Sequence, residues 1–118
     1  MAGDFRVVLV TVPNDKLAAK LASGLVKGKL AACVNVIPSV TSYYQWEGKL
    51  ETSSELLLVI KTRSGLVATL TRYVKDNHSY KVPEIISLDI QEGDAQYLHW
   101  LGANTLFARP KGKEKLPL

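Results

Sequence analysis

From Leu30 to Thr62 the chain reads as β-strand on both sides of one tight turn, and the length of that hairpin limits what can fold around it. Leu30-Ala31-Ala32-Cys33-Val34-Asn35-Val36-Ile37 runs on through Val40 to Tyr44, and Trp46-Glu47-Gly48-Lys49 supplies the turn, with Gly48 free to take a positive φ. The return arm, Leu50 to Thr62, contains the apolar run Leu56-Leu57-Leu58-Val59-Ile60. A usual strand has about 5–6 residues, so each arm is more than twice as long. At about 3.3 Å per residue a straight arm reaches about 43 Å, against a diameter of about 35 Å for a compact domain of this size. The hairpin must therefore overhang its domain or bend, and Pro38, which lacks a ladder N–H, is the place for a bend. The tip is aromatic, with Tyr43, Tyr44 and Trp46. Rings on a solvated overhang favour aggregation, so these three are expected at an interface between copies of the chain. The alternative is a tip folded back on its own sheet.

The flanking segments set the fold class. Phe5 to Val12 is β-branched and apolar, as in a central strand. Asn14 then caps a helix carrying Leu17, Ala18, Leu21, Ala22, Leu25 and Val26 at helical spacing, closed by Lys27-Gly28-Lys29. Ser64 is placed to cap a second helix with Leu66, Val67, Leu70, Tyr73 and Val74 on one stripe. Pro83 precedes a last strand, Glu84 to Ile90, and Gly93-Asp94 introduces a short helix from Ala95 to Ala103. The order β-α-β-β-α-β plus a terminal helix, with right-handed crossovers, predicts an α+β, ferredoxin-like split βαβ fold. Its antiparallel sheet has the order 4-1-3-2, with the second strand at an edge.

The 118 residues are enough for one domain, and 47% apolar content supports a core without disulfide or metal staples. We place that domain at residues 1–108 and a basic tail at 109–118. Of the net charge of +4, the tail carries +3 (Arg109, Lys111, Lys113 and Lys115 against Glu114), leaving +1 on the rest. A nearly neutral domain gives no electrostatic footprint for nucleic acid. An RRM-like use of the sheet also fails, because Phe5–Val12 and Glu84–Ile90 lack the exposed aromatics it needs. A single cysteine, Cys33, suits a reducing compartment. No run approaches the ~18 apolar residues of a membrane span, and Met1-Ala2-Gly3-Asp4 leads directly into strand. The expected location is cytoplasmic, with an organelle-targeted precursor left open.

No HExxH, GxSxG, CxxC or GxGxxG signature is present, and no enzymatic activity is expected. Gly24-Leu25-Val26-Lys27-Gly28-Lys29 is one residue short of a P-loop and sits at a helix C-terminus, which presents carbonyls rather than N–H groups. The metal-capable groups are Cys33, His78, His99 and scattered carboxylates. His78 with Glu84 would suit Cu(II), and a thiolate would suit Cu(I). Two protein ligands hold an ion weakly, so such a site needs water or another subunit. The competing reading makes His78 a loop residue, Glu84 the partner of a lysine and Cys33 a packed thiol.

Several dispersed segments resemble the CutA divalent-cation-tolerance family: Leu30 to Pro38, Tyr44-Gln45-Trp46-Glu47-Gly48-Lys49, Ile60-Lys61-Thr62, Thr11-Val12-Pro13-Asn14, and His78-Ser79-Tyr80-Lys81-Val82-Pro83-Glu84. The resemblance runs from about Phe5 to Ala103. It implies a homotrimer similar to PII signalling proteins, association with copper and other divalent cations, and an indirect link to acetylcholinesterase in animals. It also implies metal ligation by His78 and Glu84, although Ser79 stands where the family has proline. A PII-like small-anion site would instead use Lys61, Tyr80 and Lys81 in the same clefts, and a third reading makes the trimer a non-catalytic scaffold.

Overall fold

The structure, a computed structural model, describes residues 3–106; the tail at 109–118 and the domain boundary at 108 lie outside the described residues. The elements are β1 (Phe5–Val12), α1 (Asp15–Lys27), β2 (Cys33–Trp46), β3 (Lys49–Arg63), α2 (Val67–Asn77), β4 (Ile85–Asp89) and α3 (Ala95–Ala103). The antiparallel sheet has the order β2-β3-β1-β4, the predicted 4-1-3-2 counted from the other edge. Alternation in β1 and β3 sends Val8, Val10, Val12, Leu58 and Ile60 to one face, all fully buried. There they meet Leu21 and Leu25 of α1 and Leu70 and Val74 of α2, forming the core. Asn14 caps α1 as predicted, its side-chain oxygen accepting from the Leu17 N–H at 2.8 Å.

Three local details differ from the sequence reading. The second strand starts at Cys33 rather than Leu30, because the N–H groups of Leu30 and Ala31 both donate to the Leu25 carbonyl and close the end of α1. The left-handed residue at that end is Lys29 (φ 59°), while Gly28 stays right-handed at φ −81°. Ser64 does not cap α2: it opens a 3₁₀ turn, and its hydroxyl donates to the Gly3 carbonyl.

β1 ends at the pair Val12↔Leu56. Beyond it, the seven pairs from Val40↔Glu55 to Trp46↔Lys49 continue as a two-stranded ribbon, an overhang of roughly 23 Å at ~3.3 Å per residue. Its turn has φ 51° at Glu47 and 79° at Gly48, the doubly positive pattern that matches strand twist. The bend falls where Pro38 predicts it: the register shifts between Ile37 and Val40, and Ser39 takes φ 63°. Two residues of β2, Pro38 and Ser39, thus oppose one of β3, as in a β-bulge. The extra residue puts Val40, Ser42, Tyr44 and Trp46, instead of Thr41, Tyr43 and Gln45, on the face shared by Glu51, Ser53 and Glu55.

Candidate functional site

The bulge and the loop between α2 and β4 together build a cleft of about 690 Å³ on the sheet face away from α1 and α2. The ribbon contributes Ser42, Tyr44, Glu51, Ser53 and Glu55; the loop contributes Tyr80, Val82 and Glu84; the end of β1 contributes Thr11. Tyr43 and Trp46 complete the lining, which contains three carboxylates and no lysine, arginine or histidine.

Glu55 is the centre of its polar network. It is only 7% exposed, and each carboxylate oxygen accepts one hydroxyl: Ser42 at 2.6 Å and Tyr80 at 2.7 Å. Among the described residues it has no ion-pair partner. Burial, then the Glu55 carboxylate to which it donates, push the Tyr80 phenol up to about 12. Further out, the Tyr44 and Ser53 hydroxyls bond to each other at 2.7 Å.

His78 holds the loop in place from behind the cleft. Its Nδ1 accepts from the Tyr80 N–H at 3.0 Å, so Nε2 carries the proton and donates to the Thr11 carbonyl at 2.8 Å. Both ring nitrogens are therefore occupied within the chain, and the ring lies 4.8 Å from that of Tyr80.

The predicted site residues do not all come together. Tyr43, Tyr44, Trp46, Tyr80 and Glu84 line the cleft, whereas His78, Lys61, Lys81 and Cys33 do not. Cys33 pairs with Lys61 in the ladder, four residues along β3 from Leu57, the partner of Thr11. Lys61 Nζ stands 3.9 Å from Cys33 Sγ and donates to the Asn35 side chain. The phenol of Tyr97 on α3 is raised first by burial and then by nearby Cys33. Among the described residues no three His, Cys, Asp or Glu side chains converge as a metal-ion site. The donors among the described residues thus do not fit a closed metal centre.

Glu55, Glu51 and Ser42 were missed in the sequence. A glutamate at the junction of the polar stretch Glu51-Thr52-Ser53-Ser54 with an apolar run was the available signal, because burial reaches it only if the next strand residues are core.

A family model described as CutA1 divalent ion tolerance protein matches residues 6–104. The chain is 54% identical over 102 residues to the CutA homolog of Xenopus laevis, covering 86% of this chain and 68% of that protein. It is 52% identical over 99 residues to chloroplastic CutA 1 of Oryza sativa, covering 84% and 56%, so it spans just over half the length of that relative. The divalent-cation tolerance protein CutA of Thermus thermophilus is 48% identical over 99 residues, covering 84% and 96%. Among solved structures, CutA1 from Oryza sativa superposes with a TM-score of 0.86 at 48% identity, covering 89% of this chain and 96% of that one. The Thermus thermophilus protein gives 0.84 at 46%, covering 86% and 98%. Fold, matched span and identity agree: the chain belongs to the CutA1 divalent ion tolerance protein family.

Proposed function

We propose that this chain forms a homotrimer that binds divalent metal ions, Cu(II) among them, weakly in clefts closed between subunits, and that it acts in the response to metal ions rather than as an enzyme. The observation that carries this reading is the sheet face that α1 and α2 leave open. Ile37, Ile86 and Leu88 are 44%, 46% and 49% exposed on a face continued by Val7, Leu9, Leu57 and Val59, with the acidic cleft at its rim. Other copies would cover that apolar face, with Tyr43, Tyr44 and Trp46 as anchors; the count of three comes from the family resemblance. The family's description, divalent ion tolerance, supports a metal-related role.

Glu84 would be the protomer's contribution to an ion completed by water and a neighbouring subunit. His78 would join only by giving up its bond to the Thr11 carbonyl, and Cys33 would form a separate, softer site beside Lys61. A small-anion site is less well supported, because the cleft lining is acidic and excludes Lys61 and Lys81. For location, a cytoplasmic trimer and an organelle-targeted form are both compatible with the absence, among the described residues, of a helix able to cross a membrane.

Calorimetric titration of Cu²⁺ into the wild type, Glu84→Gln and His78→Ala tests the assignment. Glu84→Gln should weaken binding. Equal heats in all three proteins would remove both residues from the site.

A further inference from the structure

The overhanging ribbon loses its third strand and its regular ladder at the same place. β1 ends at Val12↔Leu56, and the bulge at Pro38 and Ser39 lies opposite that point, between the pairs Ile37↔Leu57 and Val40↔Glu55. A bulge bends and twists the strand that carries it, and a two-stranded hairpin is only marginally stable on its own. Seven pairs lie beyond the bulge. Over that length, at ~3.3 Å per residue, a swing of about 10° at the bulge carries the tip through about 4 Å. Something outside the hairpin must therefore fix the angle if the aromatic tip is to meet a neighbour in one orientation.

Tyr80 is placed to do so. Among the described residues its phenol makes the one side-chain hydrogen bond that reaches the ribbon from outside the hairpin, donating to Glu55 Oε2 at 2.7 Å. Glu55 belongs to the first pair past the bulge. Its other oxygen accepts from Ser42 at 2.6 Å, so one carboxylate ties both ribbon strands to Tyr80. Hydrogen bonds to a charged acceptor are about twice as strong as neutral ones, and at 7% exposure little water competes for this acceptor. The far end of the connection is fixed as well. His78 accepts from the Tyr80 N–H and donates to the Thr11 carbonyl, and Thr11 pairs with Leu57 on the sheet side of the bulge. The path Thr11–His78–Tyr80–Glu55–Ser42 thus leaves the sheet on one side of the bend and joins the ribbon on the other.

We infer that this path is a strut that sets the angle between ribbon and sheet, with Tyr80 as its positioning residue. Without the strut the ribbon becomes a hinged arm on a folded domain, and its aromatic tip no longer meets a neighbour in one orientation. The consequence for association rests on the proposed assembly; the strut itself does not.

The test is a distance measured by double electron–electron resonance. Nitroxide labels at Lys49→Cys on the ribbon and Lys20→Cys on α1, both exposed positions, are set into a Cys33→Ser chain co-folded with excess unlabelled chain. With Tyr80 intact the distribution should be single and narrow. Tyr80→Phe should widen it by about 4 Å, the displacement of a ~10° swing over the ribbon at ~3.3 Å per residue. Val74→Ala, which opens a cavity in the core, also costs stability but should leave the width unchanged. The comparison is repeated with Ile86→Lys, a lysine in the open face, so that no neighbour holds the ribbon. A narrow Tyr80→Phe distribution in both backgrounds would overturn the proposal. So would equal broadening in Val74→Ala, since general loosening would then be the cause. In sedimentation equilibrium Tyr80→Phe should raise the dissociation constant of the assembly about tenfold, because a free arm must be ordered on binding. Broadening confined to Ile86→Lys would sink this link to association and leave the strut. A wild-type chain that sediments as one protomer, with Tyr80→Phe still broadened, would sink the assembly reading alone.

Discussion

A carboxylate that is 7% exposed depends on whatever surrounds it, and Glu55 depends on the hydroxyls of Ser42 and Tyr80. Replacing Tyr80 by Phe deletes one of the two donors and leaves the charge under-solvated. The expected cost is about 1–3 kcal/mol in urea unfolding. The phenol also makes stability depend on pH. Its pKa is raised from 10.0 to about 12 in the fold, so between those values the native state keeps a proton that the unfolded state has lost. The Tyr80 contribution is therefore complete below pH 10 and disappears as pH rises toward 12. Tyr80→Phe should flatten that part of the alkaline stability profile, and an unchanged slope would refute the coupling. None of this was legible residue by residue, because Glu55 and Tyr80 lie 25 positions apart and only the folded loop brings them together. His78 is the opposite case: its chemistry suggested a ligand, but the backbone N–H of Tyr80 and the carbonyl of Thr11 had already taken both nitrogens.

For the elements, local physics carried much further. β1 and α3 have the bounds the sequence predicts, since each has a clear signal at both ends: a β-branched run stopped by Pro13, and an Asp94 cap whose side chain accepts from the Tyr97 N–H. The start of β2 was less legible, because Leu30 and Ala31 have strand-like side chains but donate their N–H groups to the end of α1. The bulge was visible through Pro38, yet its consequence was not: which tip residues share a face with Glu55 depends on the one extra residue. Ser39 holds that geometry at φ 63°, a region open to glycine and costing other residues roughly 1–2 kcal/mol. Ser39→Val should accordingly destabilise by about 1–2 kcal/mol, with a β-branched side chain forced into that region, whereas Ser39→Gly should be neutral or mildly stabilising. Comparable losses for both, measured by chemical denaturation, would mean the side chain rather than the backbone angle matters there.

At the scale of the molecule, length alone made the overhang predictable, and the ribbon beyond Val12↔Leu56 realises it. Tyr43 and Trp46 are 71% and 64% exposed in the single chain, aromatic surface that the proposed assembly would cover. The open sheet face was harder to read, because apolar residues alternate through β1 and β3 on both sides and only the placement of α1 and α2 shows which side stays uncovered. Both surfaces lead to the same expectation, assembly, and the most direct measurement is sedimentation equilibrium on the wild-type chain and Ile86→Lys. The account predicts a wild-type mass of three protomers that persists on dilution, and a shift toward one protomer when a lysine is set into the open face. A wild-type chain sedimenting as a single protomer, with its aromatic tip and apolar face in water, would contradict it.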